Sequence, residues 1–171
     1  EPGIYDDDIA RLKNNLGTLY SDRDEYNKAL SEFNEAARIR FELLAKDNDP
    51  DSRSALADIY CNMATALQFS DHSQEALRYI AQAHAILDEL DKEFPRIHEY
   101  KLYSILNREG SIYTRLDQLD KAEESLQKSL QLAANLASRM PLAHSADLAT
   151  AKMEMSGLNY VLGKNEEARK G

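Results

Sequence analysis

The stretch Leu16-Gly17-Thr18-Leu19-Tyr20 decides the fold, because its pairing of large and small residues recurs at a fixed interval. The Leu16-Gly17 pair has counterparts 47, 46 and 46 residues further on in turn, at Met63-Ala64, Glu109-Gly110 and Met155-Ser156. Five further columns keep this register: Tyr20, Leu67, Tyr113 and Asn159; Ala29, Ala76, Ala122 and Ala168; Phe33, Ile80 and Leu126; Ile39, Ile86 and Leu132; Leu43, Leu90 and Leu136. Six columns in one register indicate an internal repeat.

The composition favours helices around a packed core. Hydrophobic residues make up 43% of the 171 residues, whereas glycine and proline number only 6 and 4. Valine, a strong strand former, occurs once, at Val161. Few helix breakers and few β-branched residues predict an all-α protein.

Each repeat predicts two helices. In the first repeat, apolar residues at helical spacing form one stripe from Ile9 to Tyr20 and another from Ala29 to Leu44. The polar segment 21–24 separates the stripes and is expected to supply N-cap side chains. Similar breaks occur at 70–73, 117–118 and 163–165, and Pro50, Pro95 and Pro141 are placed to open helices. The predicted helices are about 6–21, 24–46, 50–69, 72–93, 95–116, 118–138 and 141–162.

The repeats predict one domain over residues 1–171, with repeats at about 6–49, 50–94, 95–140 and 141–171, the last one truncated. Small residues are expected where the two helices of a repeat meet, at Gly17, Ala64, Gly110 and Ser156. The last helix is expected to leave one apolar side uncovered, with Leu148, Met155, Leu158 and Leu162.

These columns resemble the tetratricopeptide repeat. Leu16-Gly17, Tyr20, Ala29, Phe33 and Ala36 match its pattern well, and the fourth repeat is degenerate. The resemblance implies a right-handed superhelical solenoid of antiparallel helix pairs, with about three and a half repeats and a concave inner surface. The period of about 46 residues departs from the usual 34. Such long repeats resemble those of kinesin light chains and of bacterial regulatory proteins.

The sequence predicts no catalytic, cofactor or metal site, and the chain is not expected to be an enzyme. It has no phosphate-binding glycine loop and no Gly-x-Ser-x-Gly motif. Cys61 has no histidine at helical spacing, and the four histidines form no His-x-x-x-His pair. The acidic segment Asp47–Asp51 could supply oxygens to Ca²⁺, but helix capping is the favoured interpretation.

Charge and cysteine content restrict the partners and the compartment. The formal charge of −9 and the pI of about 4.9 argue against nucleic acid and anionic membrane surfaces. No apolar run approaches the length of a transmembrane helix. A single cysteine forms no internal disulfide, which favours a reducing, cytoplasmic location.

Polar residues occupy equivalent places on the first helices of the repeats. Asn15 and Asn62 lie 47 residues apart, and Arg108 and Glu154 continue the row. Asparagine offers a donor and an acceptor to a peptide backbone, and arginine offers a fork to a carboxylate. In tetratricopeptide folds these helices line the concave groove, so the resemblance implies a peptide-binding groove here. Its further lining residues would be Arg11, Asn14, Thr18, Asn107, Ser111 and Arg115. The alternative is that all nine are polar surface residues of long helices.

One subclass of the family clamps the carboxylate of a chaperone tail with lysines, asparagines and an arginine. Asn62 and Arg108 match that clamp, whereas Asn14, Thr18 and Ser104 replace its other members. Because two basic groups are missing, a carboxylate clamp is not predicted.

The predicted function is therefore that of a scaffold binding a protein or peptide segment in the groove. Two alternatives stay open: a sensory or regulatory arm of a larger bacterial multidomain protein, and a self-association module. The truncated fourth repeat motivates both, and further repeats beyond Gly171 are an expectation of the same kind.

Overall fold

The computed structural model describes the backbone of residues 5–170 and the side chains of residues 5–163. It consists of seven α-helices: α1 (Asp6–Ser21), α2 (Tyr26–Leu44), α3 (Pro50–Phe69), α4 (Ser73–Glu93), α5 (Glu99–Arg115), α6 (Leu119–Arg139) and α7 (Pro141–Lys170). No β-strand occurs between residues 5 and 170. The predicted all-α helical repeat is confirmed.

The chain divides into two compact units, Glu1–Glu93 and Phe94–Gly171. The first unit contains α1 to α4, and the second contains α5 to α7. The division falls one residue before the predicted repeat boundary between residues 94 and 95. The single domain, its repeat boundaries and the right-handed superhelix stay predictions.

The two helices of each complete repeat run antiparallel. Near the start of α1, Asp7 forms an ion pair with Arg40, which lies near the end of α2. Near the start of α3, both terminal nitrogens of Arg53 donate to Glu93 at the end of α4, at 2.7 and 2.6 Å. In the second unit, Glu99 at the start of α5 pairs with Arg139 at the end of α6.

A small residue faces a large side chain where the helices of a pair are closest. A methyl group added to Gly17 would lie within 2.9 Å of three ring carbons of Phe33. One added to Gly110 would lie within 2.7 Å of two side-chain carbons of Leu126. Ala64, in the same column, is fully buried. The predicted contact role is therefore correct for Gly17 and Gly110, and the burial of Ala64 agrees with it.

The fourth member of that column, Ser156, is exposed, and the prediction for it was wrong. Within residues 5–170, no second helix of this repeat follows to pack against it, because α7 continues as one helix from Pro141 to Lys170. The predicted break at 163–165 was wrong as well. Glycine inside a helix costs only about 1 kcal/mol, so it ends a helix only where a turn brings a larger gain. Ala168, the last member of its column, lies outside the residues whose side chains are described.

α7 packs onto α6 through the apolar side that was expected to be uncovered. Leu158 and Ala151 are buried against residues of α6, and Leu148, Met155 and Leu162 are partly buried in the same clusters. This correction follows from the antiparallel α6–α7 pairing, which reuses the packing of the earlier helices. The exposed apolar residues of α7 are Leu142, Met153 and Tyr160 instead.

The turns within the first three repeats share one geometry. Asp24, Asp71 and Asp117 have φ angles of 58°, 64° and 56°, and they follow the repeat interval. The next residue in each turn donates its backbone N–H to the carbonyl five residues earlier: Glu25 to Tyr20 at 2.9 Å, His72 to Leu67 at 2.8 Å and Gln118 to Tyr113 at 3.0 Å. A left-handed residue followed by this bond is the Schellman motif, which satisfies the free carbonyls of a helix end.

This geometry corrects the expectation that side chains cap the second helices. The N-cap residues Glu25 and Gln118 make no side-chain cap hydrogen bond. The left-handed turn residue also delays the helix, so α2 begins at Tyr26 and not at residue 24.

The prolines behave as predicted at two of three places. Pro50 and Pro141 open α3 and α7. Pro95 does not open a helix, because Arg96 has a φ angle of 71° and α5 begins only at Glu99. At the start of α3, the Asp49 carboxylate accepts a hydrogen bond from the Ser52 backbone N–H at 2.8 Å. The capping interpretation of the acidic segment is therefore confirmed for Asp49.

Replacing Gly17 with alanine should lower the free energy of unfolding by about 1–3 kcal/mol, because the methyl group would overlap the buried Phe33 ring. Gly157→Ala is the matched control, since a methyl group there meets nothing within 4 Å. It should raise stability by up to about 1 kcal/mol through helix propensity. Urea denaturation measures both changes, and a stabilised Gly17→Ala variant would contradict the close contact.

Replacing Asp117 with glycine should raise the free energy of unfolding by about 0.5–1 kcal/mol, because glycine adopts a positive φ without steric cost. Asp120→Gly, in the first turn of α6, should lower it by about 1 kcal/mol. Thermal unfolding followed by circular dichroism compares the two variants. Equal destabilisation by both would show that the left-handed conformation at Asp117 is not strained.

Candidate interaction surfaces

In the first unit, one face of α1 carries four of the predicted groove residues. Arg11, Asn14, Asn15 and Thr18 fall within about 100° around the helix axis at 3.6 residues per turn. Arg11, Asn15 and Thr18 are exposed, and Asn14 is half-buried. Thr18 donates its hydroxyl to the Asn14 carbonyl at 3.2 Å, and Arg11 pairs with Asp8 at 2.5 Å. This face is polar and mostly accessible to a partner.

Asn14 connects this face to α3. The Asn62 side-chain amide donates to the Asn14 side-chain oxygen at 3.0 Å. Asn62 is the repeat equivalent of Asn15, yet the structure joins it to Asn14 and leaves Asn15 in solvent. The first helices of two successive repeats therefore form one polar surface, called the α1/α3 surface below.

In the second unit, the corresponding face of α5 carries Asn107, Arg108, Ser111 and Arg115. Asn107 accepts a hydrogen bond from the Ser129 hydroxyl at 3.3 Å, which ties it to α6. Arg108 and Ser111 are half-buried, and Arg115 is exposed. The face is more basic than the α1/α3 surface, because it carries two guanidinium groups.

Sequence reasoning missed the role of Tyr103. Its hydroxyl donates to the Asp147 backbone carbonyl at 3.0 Å and so joins α5 to α7. Burial, with a smaller contribution from the Asp147 charge, raises the pKa of Tyr103 from 10 to about 12. Tyr103 falls in the column of Ala10 and Ala57, so a large polar residue among alanines was the available signal.

Two other residues with reactive side chains, Cys61 and His144, lie in environments typical of structural residues. Cys61 is half-buried on α3. The His144 ring nitrogen lies 2.8 Å from an Asp147 carboxylate oxygen, and the ring lies 5.5 Å from that of Tyr100. Among the described residues, no group of three or more histidine, cysteine and acidic side chains could hold a metal ion. No helix in the described part of the chain is long and apolar enough to cross a membrane.

Comparisons with known proteins agree with the observed repeat. The tetratricopeptide repeat family model matches residues 10–42 and 103–136, which span the α1–α2 and α5–α6 pairs. Among solved structures, the chain is similar to BtubC (BKLC) from P. vanneervenii, at 17% identity and a TM-score of 0.59 over 92% of its own length. It spans 64% of that protein, and the likeness concerns the fold alone.

A second structure, the DHF79 filament, matches at 18% identity over 95% of this chain and 87% of that one. Its TM-score of 0.37 is too low to bear on the fold. No curated protein matches the sequence.

Replacing Tyr103 with phenylalanine should lower the free energy of unfolding at neutral pH by about 0.5–1.5 kcal/mol, because the Asp147 carbonyl loses its donor. The difference in free energy of unfolding between the wild type and Tyr103→Phe should shrink between pH 10 and pH 12. In this range Tyr103 ionises in the unfolded wild type but stays protonated in the folded state, so the wild type loses stability that the phenylalanine variant cannot lose. Urea titrations at pH 7, 10 and 11 test this, with Tyr100→Phe as the control. A deficit that is constant over this range would contradict the raised pKa.

Proposed function

We propose that the chain is a scaffold that binds a segment of a partner protein. Residues 10–42 and 103–136 match the tetratricopeptide repeat model, and such repeats generally mediate contacts between proteins. The proposed binding site comprises the exposed faces of the first helices of the repeats. It assigns the chain no catalytic role.

The observation that carries this proposal is the hydrogen bond between Asn14 and Asn62. It joins α1 to α3, so polar groups of two repeats are presented together on one fixed surface. A surface formed before the partner arrives loses little conformational entropy on binding. The exposed Asn15 amide lies beside this bond and can pair with an extended peptide backbone, and the Thr18 hydroxyl oxygen can accept a hydrogen bond from it.

The α5 face supplies a second, chemically different element. Arg108 and Arg115 can offer guanidinium forks to a carboxylate, and Asn107 and Ser111 lie on the same face. Each face is proposed as a site within its own unit, where the asparagines of the first unit pair with a peptide backbone and the arginines of the second unit pair with an acidic group. Each unit can be tested separately.

Self-association is the second candidate function, and exposed apolar residues on α1 and α7 favour it. On α1, Leu12 and Leu19 are 66% and 52% exposed, and Ile9 lies on the same side. On α7, Leu142 and Met153 are exposed as well. Exposed apolar stripes of this kind commonly mark contacts with another chain.

The partner-binding proposal can be tested by affinity capture from a lysate of the native organism. The test variant carries Asn15→Ala, Asn62→Ala and Arg108→Ala together. The matched control carries Asn27→Ala, Gln74→Ala and Arg78→Ala, which change similar side chains exposed on the second helices. We expect the wild type and the control to retain a partner that the test variant loses, with binding weakened about tenfold or more.

Circular dichroism must first show that both triple variants are folded. Retention of the same partner by the test variant would place binding outside these residues and refute the site. A wild type that sediments as a dimer, and becomes monomeric on Leu12→Asp and Leu19→Asp substitution, would support self-association instead.

A further inference from the structure

A cleft of about 340 Å³ opens in the first unit between α2, α3 and α4. Met63 of α3, which is 1% exposed, forms part of its floor. Phe41 of α2 lies along it and is 68% exposed. Tyr60 of α3 and Tyr79 of α4 complete an aromatic wall, with ring centroids 5.7 Å apart and a tilt of 42°.

The cleft is separate from the α1/α3 surface. Tyr60 and Asn62 differ by two positions on α3, which places their side chains about 160° apart around the helix. Asn62 points to α1, where it bonds Asn14, whereas Tyr60 packs beside Tyr79 of α4. A ligand in the cleft therefore leaves the proposed peptide surface accessible.

The charged residues that line the cleft are Arg38 and Glu42, and a second carboxylate, Glu35, contacts the same arginine next to the lining, so the three groups together carry one negative charge. Arg38 donates to Glu42 at 2.6 Å and to Glu35 at 3.2 Å, so one guanidinium is shared by two carboxylates. All three side chains are at least half exposed. The remaining polar lining groups, Asn34 and Gln82, are uncharged.

The charge of the whole unit has the same sign. Residues 1–93 contain 20 aspartates and glutamates against 10 lysines and arginines, a formal charge of −10. Residues 94–171 contain 10 against 11, a formal charge of +1. The acidity of the protein is therefore concentrated in the unit that contains the cleft, and this field attracts cationic ligands.

We propose that this cleft is a second binding site, which takes one aromatic side chain of a partner peptide flanked by lysine or arginine. The aromatic side chain packs between Phe41, Tyr60 and Tyr79, because aromatic rings favour tilted contacts of this kind. The flanking cation lies at the rim beside Glu42, with Glu35 next to the lining as the second carboxylate of this cluster. Ligand pockets usually measure about 300–1,000 Å³, so this cleft suits a single large side chain and not a folded domain.

The affinity of a fluorescein-labelled peptide, acetyl-Gly-Lys-Phe-Lys-Gly, measured by fluorescence anisotropy at low salt, tests the proposal. We expect a dissociation constant below about 1 mM for the wild type. The peptides acetyl-Gly-Glu-Phe-Glu-Gly and acetyl-Gly-Lys-Ala-Lys-Gly should bind about tenfold more weakly or worse, because each lacks one of the two recognised groups.

Matched variants separate the cleft from general effects of charge and exposed apolar surface. Glu42→Lys and Phe41→Ala should each weaken the Lys-Phe-Lys peptide about fivefold or more. Asp22→Lys makes the same charge change in the turn after α1, and Leu12→Ala truncates an exposed apolar residue of α1. Both should change the affinity less than about twofold, because neither residue lines the cleft and the first variant alters only long-range charge. The same holds for Asn15→Ala with Asn62→Ala, which probes the other surface.

Three outcomes would overturn the proposal. The first is no binding of the Lys-Phe-Lys peptide to folded wild type, and the second is equal binding of the Glu-Phe-Glu peptide. The third is a concentration-dependent dimer, seen by analytical ultracentrifugation, that Phe41→Ala abolishes, since a second copy would then occupy the cleft. None of these outcomes depends on the lysate partner of the α1/α3 surface.

Discussion

The contact between a small residue on one helix and a large side chain on the next sets the spacing within each repeat. Gly17 leaves room for the Phe33 ring, and Gly110 leaves room for Leu126. Such contacts let the helix axes approach to about 8–10 Å. The polar faces of α1 and α5 depend on this approach, because it holds each of these helices against the second helix of its repeat.

The periodic core could be predicted from sequence, because burial imposes a strict 3.6-residue pattern on each packed helix face. This is why the ends of α1, α3, α4 and α6 were predicted to within a residue. The turns could not be, since an aspartate serves equally well as a capping residue and as a left-handed turn residue. The end of α7 could not be predicted either, because the glycine at 163 is compatible both with a turn and with a continuing helix.

The candidate site was predictable in its composition but not in its pairing. The repeat register placed Asn15 and Asn62 in one row, yet the bond forms between Asn14 and Asn62. A repeat alignment defines equivalent positions, whereas contacts between helices depend on their rotation and offset. The cleft was harder to predict from sequence, because its walls come from three helices and no single stretch of sequence contains its aromatic residues.

The nearest-neighbour packing of the helices has a kinetic consequence. In each unit, extensive contacts join helices that are adjacent in the chain, with minor contacts to the helix after that. Contacts between residues close in sequence give a low contact order, which speeds folding because only short loops must close. Helix pairs in such arrays can nucleate independently, and their outer helices open first. Within each unit, amide hydrogen exchange should accordingly be slower in the helices that pack on two others of the same unit, which are α2 and α3 in the first unit and α6 in the second.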